Sequence, residues 1–301
     1  MDAVVNHEGL TQASAARALA SACSQVGLDS QSADLLRLGE NAIYALPSEG
    51  VAVRVARADT EDVRRKVVKE LAVSRWLVSQ GFPAVRPCDE LPQPTQAEGR
   101  FVTFWEYVPP GQVEPDLMDL AGLLRDLHAL PGPDFPLPVL DPFPLMRRRL
   151  ALAQDVERQD VEFLTEACDR SEAAFRGIMT DDAGGLIHGD AHRGNLLARD
   201  SQVLLIDYEA VAIGPRAWDL IPTATAVDRF GLSPADYTAF CRTYGWDVTD
   251  WHGYQALRTV RELGMTTWLM QNVHSGPAAA EFAIRMDSLR EEDRERRWHA
   301  L

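Results

Sequence analysis

Lysine is nearly missing from this chain. Of its 30 basic residues only Lys66 and Lys69 are lysines, so almost every cation is an arginine. The chain also has only 4 cysteines, widely scattered, and their spacing builds neither a zinc site nor a redox motif. We expect them to be single, buried thiols in a reducing compartment, which makes the cytoplasm the expected location. No apolar run approaches the length that crosses a bilayer, so no membrane partner is expected.

Positive charge as a whole is in short supply, with 45 acidic side chains against 30 basic ones and a formal net charge of −15. Because clustered Lys and Arg hold phosphate backbones, this balance argues against nucleic acid as a partner. It permits a cationic small ligand without demonstrating one, since a solvated acidic surface gives the same count. The 46% of apolar residues is ordinary for a globular protein, and 301 residues are enough for two lobes.

The first third of the chain alternates between helical and strand-like segments. An alanine-rich helix is predicted over the first 27 residues, ending at Gly27, and a second helix over 60–80. Short apolar segments between turn residues predict strands over 35–38, 42–46, 51–55, 84–87 and 100–108. In the third of these the valines alternate with Ala52 and Arg54, which places Arg54 on the face opposite the valines.

After Pro109-Pro110-Gly111, the predicted domain boundary, nearly every segment is helical. The predicted helices cover 116–130, 145–158, 161–177, 216–227, 233–244, 251–272 and 278–297. The acid- and arginine-rich run from Arg290 to Arg297 is predicted to be a solvated helix face. These assignments predict an α+β fold of two lobes: 1–108, with a small antiparallel sheet, and 109–301, larger and helical.

One stretch among these helices has a different composition. His188, Asp190 and His192 alternate in it, Asn195 follows, and a later apolar strand-like piece ends at Asp207. An Asp and an Asn that flank a tight loop, with a further Asp at a strand end, suit a magnesium phosphate site, because Mg²⁺ prefers hard oxygen ligands. A free carboxylate near such a site orients a hydroxyl nucleophile.

The motif His-Gly-Asp-x-His-x-x-Asn followed by Ile-Asp-x-Glu resembles the signature of the aminoglycoside phosphotransferase and choline kinase family of small-molecule kinases. The resemblance covers the chain from the first strand onward. It implies a bilobal protein-kinase-like fold and transfer of the γ-phosphate of ATP or GTP to a hydroxyl. It also implies that Asp190 is the catalytic carboxylate and that Asn195 and Asp207 carry Mg²⁺. The residues that would support this loop by hydrogen bonding are His188, His192 and Asp219.

The same resemblance assigns the first lobe to the nucleotide. Gly39 and Asn41 would lie in the loop over the phosphates, between two strands. Glu70, on the following helix, would pair with the cation that binds phosphate. Glu106 and Val108 lie where the family's hinge offers backbone hydrogen bonds to a purine.

At one position the chain departs from the family. Arg54 stands where the family has the lysine of its Val-Ala-x-Lys strand motif. A guanidinium can clamp phosphate oxygens and still pair with Glu70, although it is bulkier and presents its charge differently. Two hypotheses follow: an active kinase that uses Arg54, which we favour because the loop and metal residues are all present, and a nucleotide-binding pseudokinase without turnover. Glu209, beside the metal position, has no assigned role.

The acceptor is a small hydroxylated molecule that the sequence does not identify. Members of the family act on aminoglycosides, other antibiotics, choline-like amines, homoserine and sugars. The acidic composition favours a cationic acceptor, and we expect an antibiotic, as in a resistance-type kinase, with a metabolite as the alternative. The predicted pocket residues are Glu262, Trp268 and Gln271, on a helix that also carries Arg261.

A zinc hydrolase is the rival interpretation of the alternating His188, Asp190 and His192. Asn195 and Asp207 have no place in such a site, and no further histidine lies close by in the sequence. The kinase interpretation is therefore preferred.

Overall fold

The computed structural model describes residues 10–111, 113–181, 184–200, 202–273 and 276–300. Contacts divide the chain into two units. The first unit runs to Pro115 and also contains Asn195–Glu209, whereas the second comprises Asp116–Gly194 and the chain from Ala210 onward. A single division between 108 and 109 is predicted from the sequence, and it does not assign Asn195–Glu209 to the first unit. The α+β fold with a sheet-containing first part and a helical second part is confirmed.

A five-stranded antiparallel sheet lies in the first unit, in the order β1-β2-β3-β5-β4. The strands are β1 (Asp34–Leu38), β2 (Ala42–Leu46), β3 (Val51–Val55), β4 (Thr95–Ala97) and β5 (Arg100–Glu106). In β3 the valines are buried, whereas Ala52 and Arg54 are only partly buried. Arg54 therefore lies on the face opposite the valines, as the alternation predicts.

Two helices complete the first unit: α1 (Gln12–Val26) and α2 (Glu61–Ser79). The alanine-rich face of α1 packs in one buried cluster with the sheet, and the helix ends at Gly27, whose φ of 78° is left-handed. The predicted helix is thus confirmed over 12–26, and residues 1–9 lie outside the described residues. In α2 the side chain of Glu70 is buried, so this helix brings a carboxylate into the interior of the unit.

The strand predicted over 84–87 is not formed. Only isolated bridges occur there, from Ala84 to Leu205 and from Pro87 to Trp105. Because Pro83 and Pro87 have no N–H to donate, the segment cannot continue a ladder. The remaining edge strand of the sheet is instead β4, beside β5.

The segment Asn195–Glu209 contains a hairpin of β7 (Leu196–Arg199) and β8 (Gln202–Leu205). The N–H of Leu205 donates to the carbonyl of Pro83 at 2.9 Å, and the N–H of Val85 donates to the carbonyl of Leu205 at 3.4 Å. These bonds tie the hairpin to the loop after α2, which explains why the segment belongs to the first unit.

The second unit is mainly helical. Its helices are α3 (Leu117–His128), α4 (Phe143–Ala151), α5 (Arg158–Asp181), α6 (Ala217–Arg229), α7 (Pro234–Tyr244), α8 (Tyr254–Leu269) and α9 (Gly276–Arg290). A two-stranded antiparallel sheet joins β6 (Gly185–Ile187) to β9 (Ala212–Gly214). In the described part of the chain, no helix is both long and apolar enough to span a membrane. All 4 cysteines are unpaired, and 3 of them are buried.

The last helix is shorter than predicted, because α9 ends at Arg290 and no helix covers 291–297. The side chain of Asp293 accepts the N–H groups of Glu295 and Arg296 at 3.0 and 3.1 Å, which favours a turn over a helix. Trp298 is then buried, with the guanidinium of Arg229 over its ring at 4.4 Å. The run predicted to be a solvated helix face is instead a connector anchored by an aromatic ring.

Candidate functional site

The loop that carries Asp190 follows β6 in the second unit and is held by α6. The side chain of Asp219, fully buried, accepts the backbone N–H groups of His188 at 2.6 Å and of Gly189 at 2.8 Å. The indole N–H of Trp218 donates to the carbonyl of Gly189 at 2.9 Å. Gly189 has a φ of 85°, and an added Cβ would lie 2.2 Å from the carbonyl oxygen of Ala210, so no other residue fits. The loop is therefore rigid just before Asp190.

His128 supports the same loop from α3, a role that the sequence analysis missed. Its Nε2 lies 3.0 Å from Asp219 Oδ2, and its Nδ1 lies 2.8 Å from the hydroxyl of Tyr244. Burial acts to raise the pKa of Asp219, but the hydrogen bond and charge of His128 outweigh it and lower that pKa. His128 also lines a cavity of about 330 Å³, together with Arg125, Arg216, Tyr244 and Trp246. In the sequence, His128 is simply a histidine near the end of a predicted helix, and nothing in the local pattern indicates that it pairs with Asp219.

A guanidinium and an imidazole face the carboxylate of Asp190 within the second unit. Nη2 of Arg261 donates to Asp190 Oδ1 at 2.8 Å, and Nε2 of His192 lies 3.6 Å from Oδ2. Burial acts to raise the pKa of Asp190, but its interactions with His192 and Arg261 outweigh it and hold that pKa well below the usual range. Its side chain remains 44% exposed. Asp190 is thus an ionised carboxylate that a ligand can reach.

Asn195 directly precedes β7 and Asp207 follows β8, so both lie at the open end of the β7–β8 hairpin. The ladder continues beyond β7 and β8 because the N–H of Ile206 donates to the carbonyl of Asn195 at 3.0 Å. Asn195 is buried, and Asp207 adopts a left-handed φ of 65°. Tyr208 anchors the segment, since its hydroxyl donates to the carbonyl of Leu205 and accepts the N–H of Val85 at 3.2 Å.

This donor set fits Mg²⁺, which takes oxygen ligands and needs only one or two protein carboxylates when phosphates complete its shell. Asn195 and Asp207 supply an amide oxygen and a carboxylate. Within the described ranges, no three His, Cys, Asp or Glu side chains are grouped so that they could hold a metal. The described residues therefore contain no set of ligands that would support a zinc hydrolase.

Arg54 is surrounded by acceptors in the first unit. Its Nη1 contacts both carboxylate oxygens of Glu70, and its Nη2 donates to Glu209 Oε2 at 2.7 Å. With its amide oxygen toward the guanidinium, Asn41 accepts from Nε at 3.2 Å and from Nη2 at 2.7 Å. Burial raises the pKa of Glu70 to about 7, against the lowering effect of Arg54. The structure therefore brings together Arg54, Glu70 and Asn41, three of the residues predicted to bind the nucleotide.

Both lysines of the chain lie beside Glu209. Lys66 Nζ is 3.1 Å from Glu209 Oε1, and Lys69 Nζ donates to the backbone carbonyl of Glu209 at 2.6 Å. Burial acts to raise the pKa of Glu209, but the charges of Arg54 and Lys66 outweigh it and lower that pKa. We call Arg54, Lys66 and Lys69 the cation cluster. The cavity that Arg54, Lys66, Glu70 and Glu209 line has a volume of only about 10 Å³, which leaves room for about one water.

The remaining predicted nucleotide residues lie at the ends of strands. Gly39 N–H donates to the carbonyl of Asn41 at 3.0 Å in the turn between β1 and β2. The N–H of Glu106 donates to Arg86, and its carboxylate lies 3.1 Å from Arg199. Val108 is buried, and its N–H makes no hydrogen bond to any residue that the structure describes. Of the two residues predicted to lie in a hinge, Val108 is therefore the one whose backbone N–H is available to a ligand.

The three residues predicted to line the acceptor pocket differ in their burial. Glu262 is wrong for that role, because it is 5% exposed and its Oε1 accepts from Nε of Arg229 at 2.8 Å and of Arg258 at 3.0 Å. A carboxylate inside such a buried cluster holds helices together and cannot touch an acceptor. Trp268 is 38% exposed, and Gln271 is exposed with its amide on the carbonyl of Trp268.

Comparison with known proteins gives a family and a fold. A family model described as the phosphotransferase enzyme family matches residues 39–257. A search of the curated proteins found no match.

Three similar solved structures cover most of this chain. An amicoumacin kinase in complex with AMP-PNP and Ca²⁺ has a TM-score of 0.68 at 14% identity, covering 88% of this chain and 90% of that one. A choline kinase from Streptococcus pneumoniae has a TM-score of 0.64 at 13% identity, covering 91% and 98%. An aminoglycoside phosphotransferase from Streptomyces rimosus has a TM-score of 0.62 at 16% identity, covering 82% and 97%. At these identities the likeness shows a shared fold.

Proposed function

The chain belongs to the phosphotransferase enzyme family, and from that premise we propose that it transfers the γ-phosphoryl group of ATP, or of GTP, to a hydroxyl of a small molecule. The observation that carries this proposal is Asp190, an ionised and accessible carboxylate on a loop fixed by Asp219 and Trp218. The solved relatives in complex with AMP-PNP and with ADP support a nucleotide as the phosphoryl donor.

On the donor side, the cation cluster would bind the nucleotide phosphates. Glu70 would hold Arg54 in place through Nη1, while Nη2 and Lys66 would turn from Glu209 to phosphate oxygens. The free N–H of Val108 would donate to the purine. In this proposal Arg54 does the work of the family's lysine, and Lys66 adds a second charge from α2.

Asn195 and Asp207 would hold Mg²⁺ through their side-chain oxygens. The bound ion would neutralise charge on the transferring phosphoryl group. The left-handed backbone at Asp207 and the anchor at Tyr208 would fix the direction of this carboxylate.

Asp190 would orient the acceptor hydroxyl. Because its pKa is held low, it would not remove the proton before reaction. As the acceptor oxygen bonds to the γ-phosphorus, the bond from that phosphorus to the bridging oxygen breaks and ADP leaves. The hydroxyl proton passes to Asp190 and then to solvent. Catalysis would rest on alignment and charge neutralisation, with no covalent enzyme intermediate.

The acceptor would be an antibiotic, as for a resistance-type kinase, or a metabolite alcohol. Similar solved structures include an amicoumacin kinase, a spectinomycin phosphotransferase and a choline kinase, which supports a small hydroxylated molecule in either case. For the location we propose the cytoplasm, since the enzyme would need ATP and its cysteines are unpaired.

The test measures ADP release over a panel of hydroxylated antibiotics and metabolites with Mg²⁺ and ATP or GTP. Asp190→Asn is expected to lower kcat by about a hundredfold or more, because it removes the charge that aligns the hydroxyl. Asp134→Asn, at an exposed position of the second unit, is the matched control and should keep full activity. Undiminished turnover by Asp190→Asn would refute this role of Asp190. Nucleotide binding by calorimetry without transfer to any acceptor would instead support the pseudokinase.

A further inference from the structure

A guanidinium is built into the surroundings of Asp190. Arg261, on α8, donates from Nη2 to Asp190 Oδ1 at 2.8 Å, and its Cζ lies 5.8 Å from the centre of the Trp218 ring. Trp218 is itself buried and bonded to Gly189. The side chain of Arg261 is only 19% exposed. This cation is therefore positioned by α8, α6 and the loop of Asp190 together.

Asp190 itself is the carboxylate that pairs with Arg261, and α8 contributes no second acidic side chain there. The only acidic residue of the helix, Glu262, is turned into the separate buried cluster with Arg229 and Arg258. His192 is a further titratable side chain beside Asp190, with its Nε2 3.6 Å from Oδ2. An acceptor hydroxyl that approaches Asp190 therefore meets a cation beside it.

Arg261 also has hydrogen-bonding capacity that the present pairing does not use. Its Nε is buried and has no hydrogen-bond partner in the described ranges. A guanidinium has five N–H donors in a planar fork that matches two carboxylate oxygens, whereas a ligand ammonium in the same place meets a like charge.

We propose that Arg261 selects the charge of the acceptor, and that the acceptor is a hydroxylated carboxylic acid whose carboxylate binds Arg261 while its hydroxyl bonds to Asp190. This inference rests on the proposed function, because it needs Asp190 as the orienting carboxylate. It reverses the expectation of a cationic acceptor, which followed from the charge of the whole chain. The charge that a bound ligand meets depends mainly on the groups nearest to it, whatever the net charge of the whole chain. Beside Asp190 the additional charged group is Arg261, which is positive.

The test compares acceptors of different charge that share a hydroxymethyl group. Glycolate, ethylene glycol and ethanolamine carry next to it a carboxylate, a second hydroxymethyl group and an aminomethyl group. Each is offered, with its longer homologues, to the full-length enzyme with Mg²⁺ and radiolabelled ATP. We expect kcat/KM to be at least about tenfold higher in the carboxylate series, the factor that one charge-assisted hydrogen bond supplies.

Variants at Arg261 separate selection from a structural role. Arg261→Gln is expected to lower kcat/KM for the carboxylate series about tenfold, mainly through KM, and to remove the preference among the series. Arg261→Lys should keep the order of preference. Arg242→Gln, at an exposed arginine of α7, is the matched control. Loss of a merely structural residue would lower all series alike and leave their ratio unchanged.

Each outcome decides the inference. A kcat/KM for the ammonium series equal to or above that of the carboxylates, or an unchanged ratio in Arg261→Gln, overturns it and leaves the proposed kinase function standing. Transfer to none of the carboxylates overturns it as well. If the antibiotics and metabolites of the wider panel are also not phosphorylated, the proposed function fails too.

Discussion

Replacing Glu209 with glutamine is expected to tighten ATP binding about tenfold. In the free protein the Glu209 carboxylate holds Arg54 at 2.7 Å and Lys66 at 3.1 Å, in a cavity that leaves room for about one water. A phosphate oxygen can bind the cation cluster only after these contacts are given up. A partly exposed ion pair is worth about 1 kcal/mol or less and a charge-assisted hydrogen bond about 1.5–3 kcal/mol. Because an amide keeps part of the hydrogen bonding, we take about 1.4 kcal/mol, which is a factor of about ten in Kd.

The assay is isothermal titration of the full-length protein with AMP-PNP, once with Mg²⁺ and once with EDTA. The matched control is Glu90→Gln, at an exposed acid of the same unit that makes no ion pair with the described residues. The metal-free titration isolates the competition between carboxylate and phosphate. A metal-free Kd that is unchanged or larger in Glu209→Gln would show that Glu209 does not occupy the place of phosphate. Thermal unfolding of the variant should stay close to that of the wild type, because Arg54 keeps Glu70.

The two remaining predictions concern the Asp190 loop and the buried carboxylate. Gly189→Ala should lower both Tm and kcat, the latter at least about tenfold, because its Cβ would be 2.2 Å from the Ala210 carbonyl oxygen and would displace the neighbouring Asp190. Gly231→Ala, at a φ of 74° with nothing within 4 Å, should cost only about 1 kcal/mol of unfolding free energy and keep turnover; an equal loss of kcat in both would contradict the crowding argument. The pKa of Glu70 is raised from 4.5 to about 7, so the folded state binds a proton that the unfolded state releases, and the unfolding free energy should fall as pH rises between these values. Glu70→Gln should flatten that dependence in urea titrations across this range, and an unchanged slope would show that Glu70 keeps an ordinary pKa in the fold.

Local patterns predicted the fold well where one residue decides the backbone. Gly27 ends α1 in a left-handed conformation, and the period-two alternation of β3 places Arg54 opposite the valines. These signals lie within a few residues of the feature that they predict. The strand predicted over 84–87 from its apolar residues does not form, because Pro83 and Pro87 have no N–H groups to donate.

The candidate site was predictable as a set of residue types, and its pairings were not. Arg261 and Glu262 are adjacent in sequence, and helical periodicity cannot say which of two polar neighbours turns toward Asp190 and which toward Arg229. The pairing of His128 with Asp219 joins residues 91 positions apart, and no local pattern encodes such a contact. The small number of lysines does point to this site, since both lysines of the chain lie beside Glu209.

Because Asn195–Glu209 belong to the first unit, this unit is made of two segments that are separate in the sequence. A fragment that stops at Pro115 would lack the hairpin whose backbone bonds to Pro83 and Val85, and would leave those groups without their partners. Expression of the sheet-containing part alone would therefore require residues 195–209 to be grafted back through an engineered linker. For the same reason, a single proteolytic cut after Pro115 would not release the first unit, because its last segment remains joined to the chain at both ends.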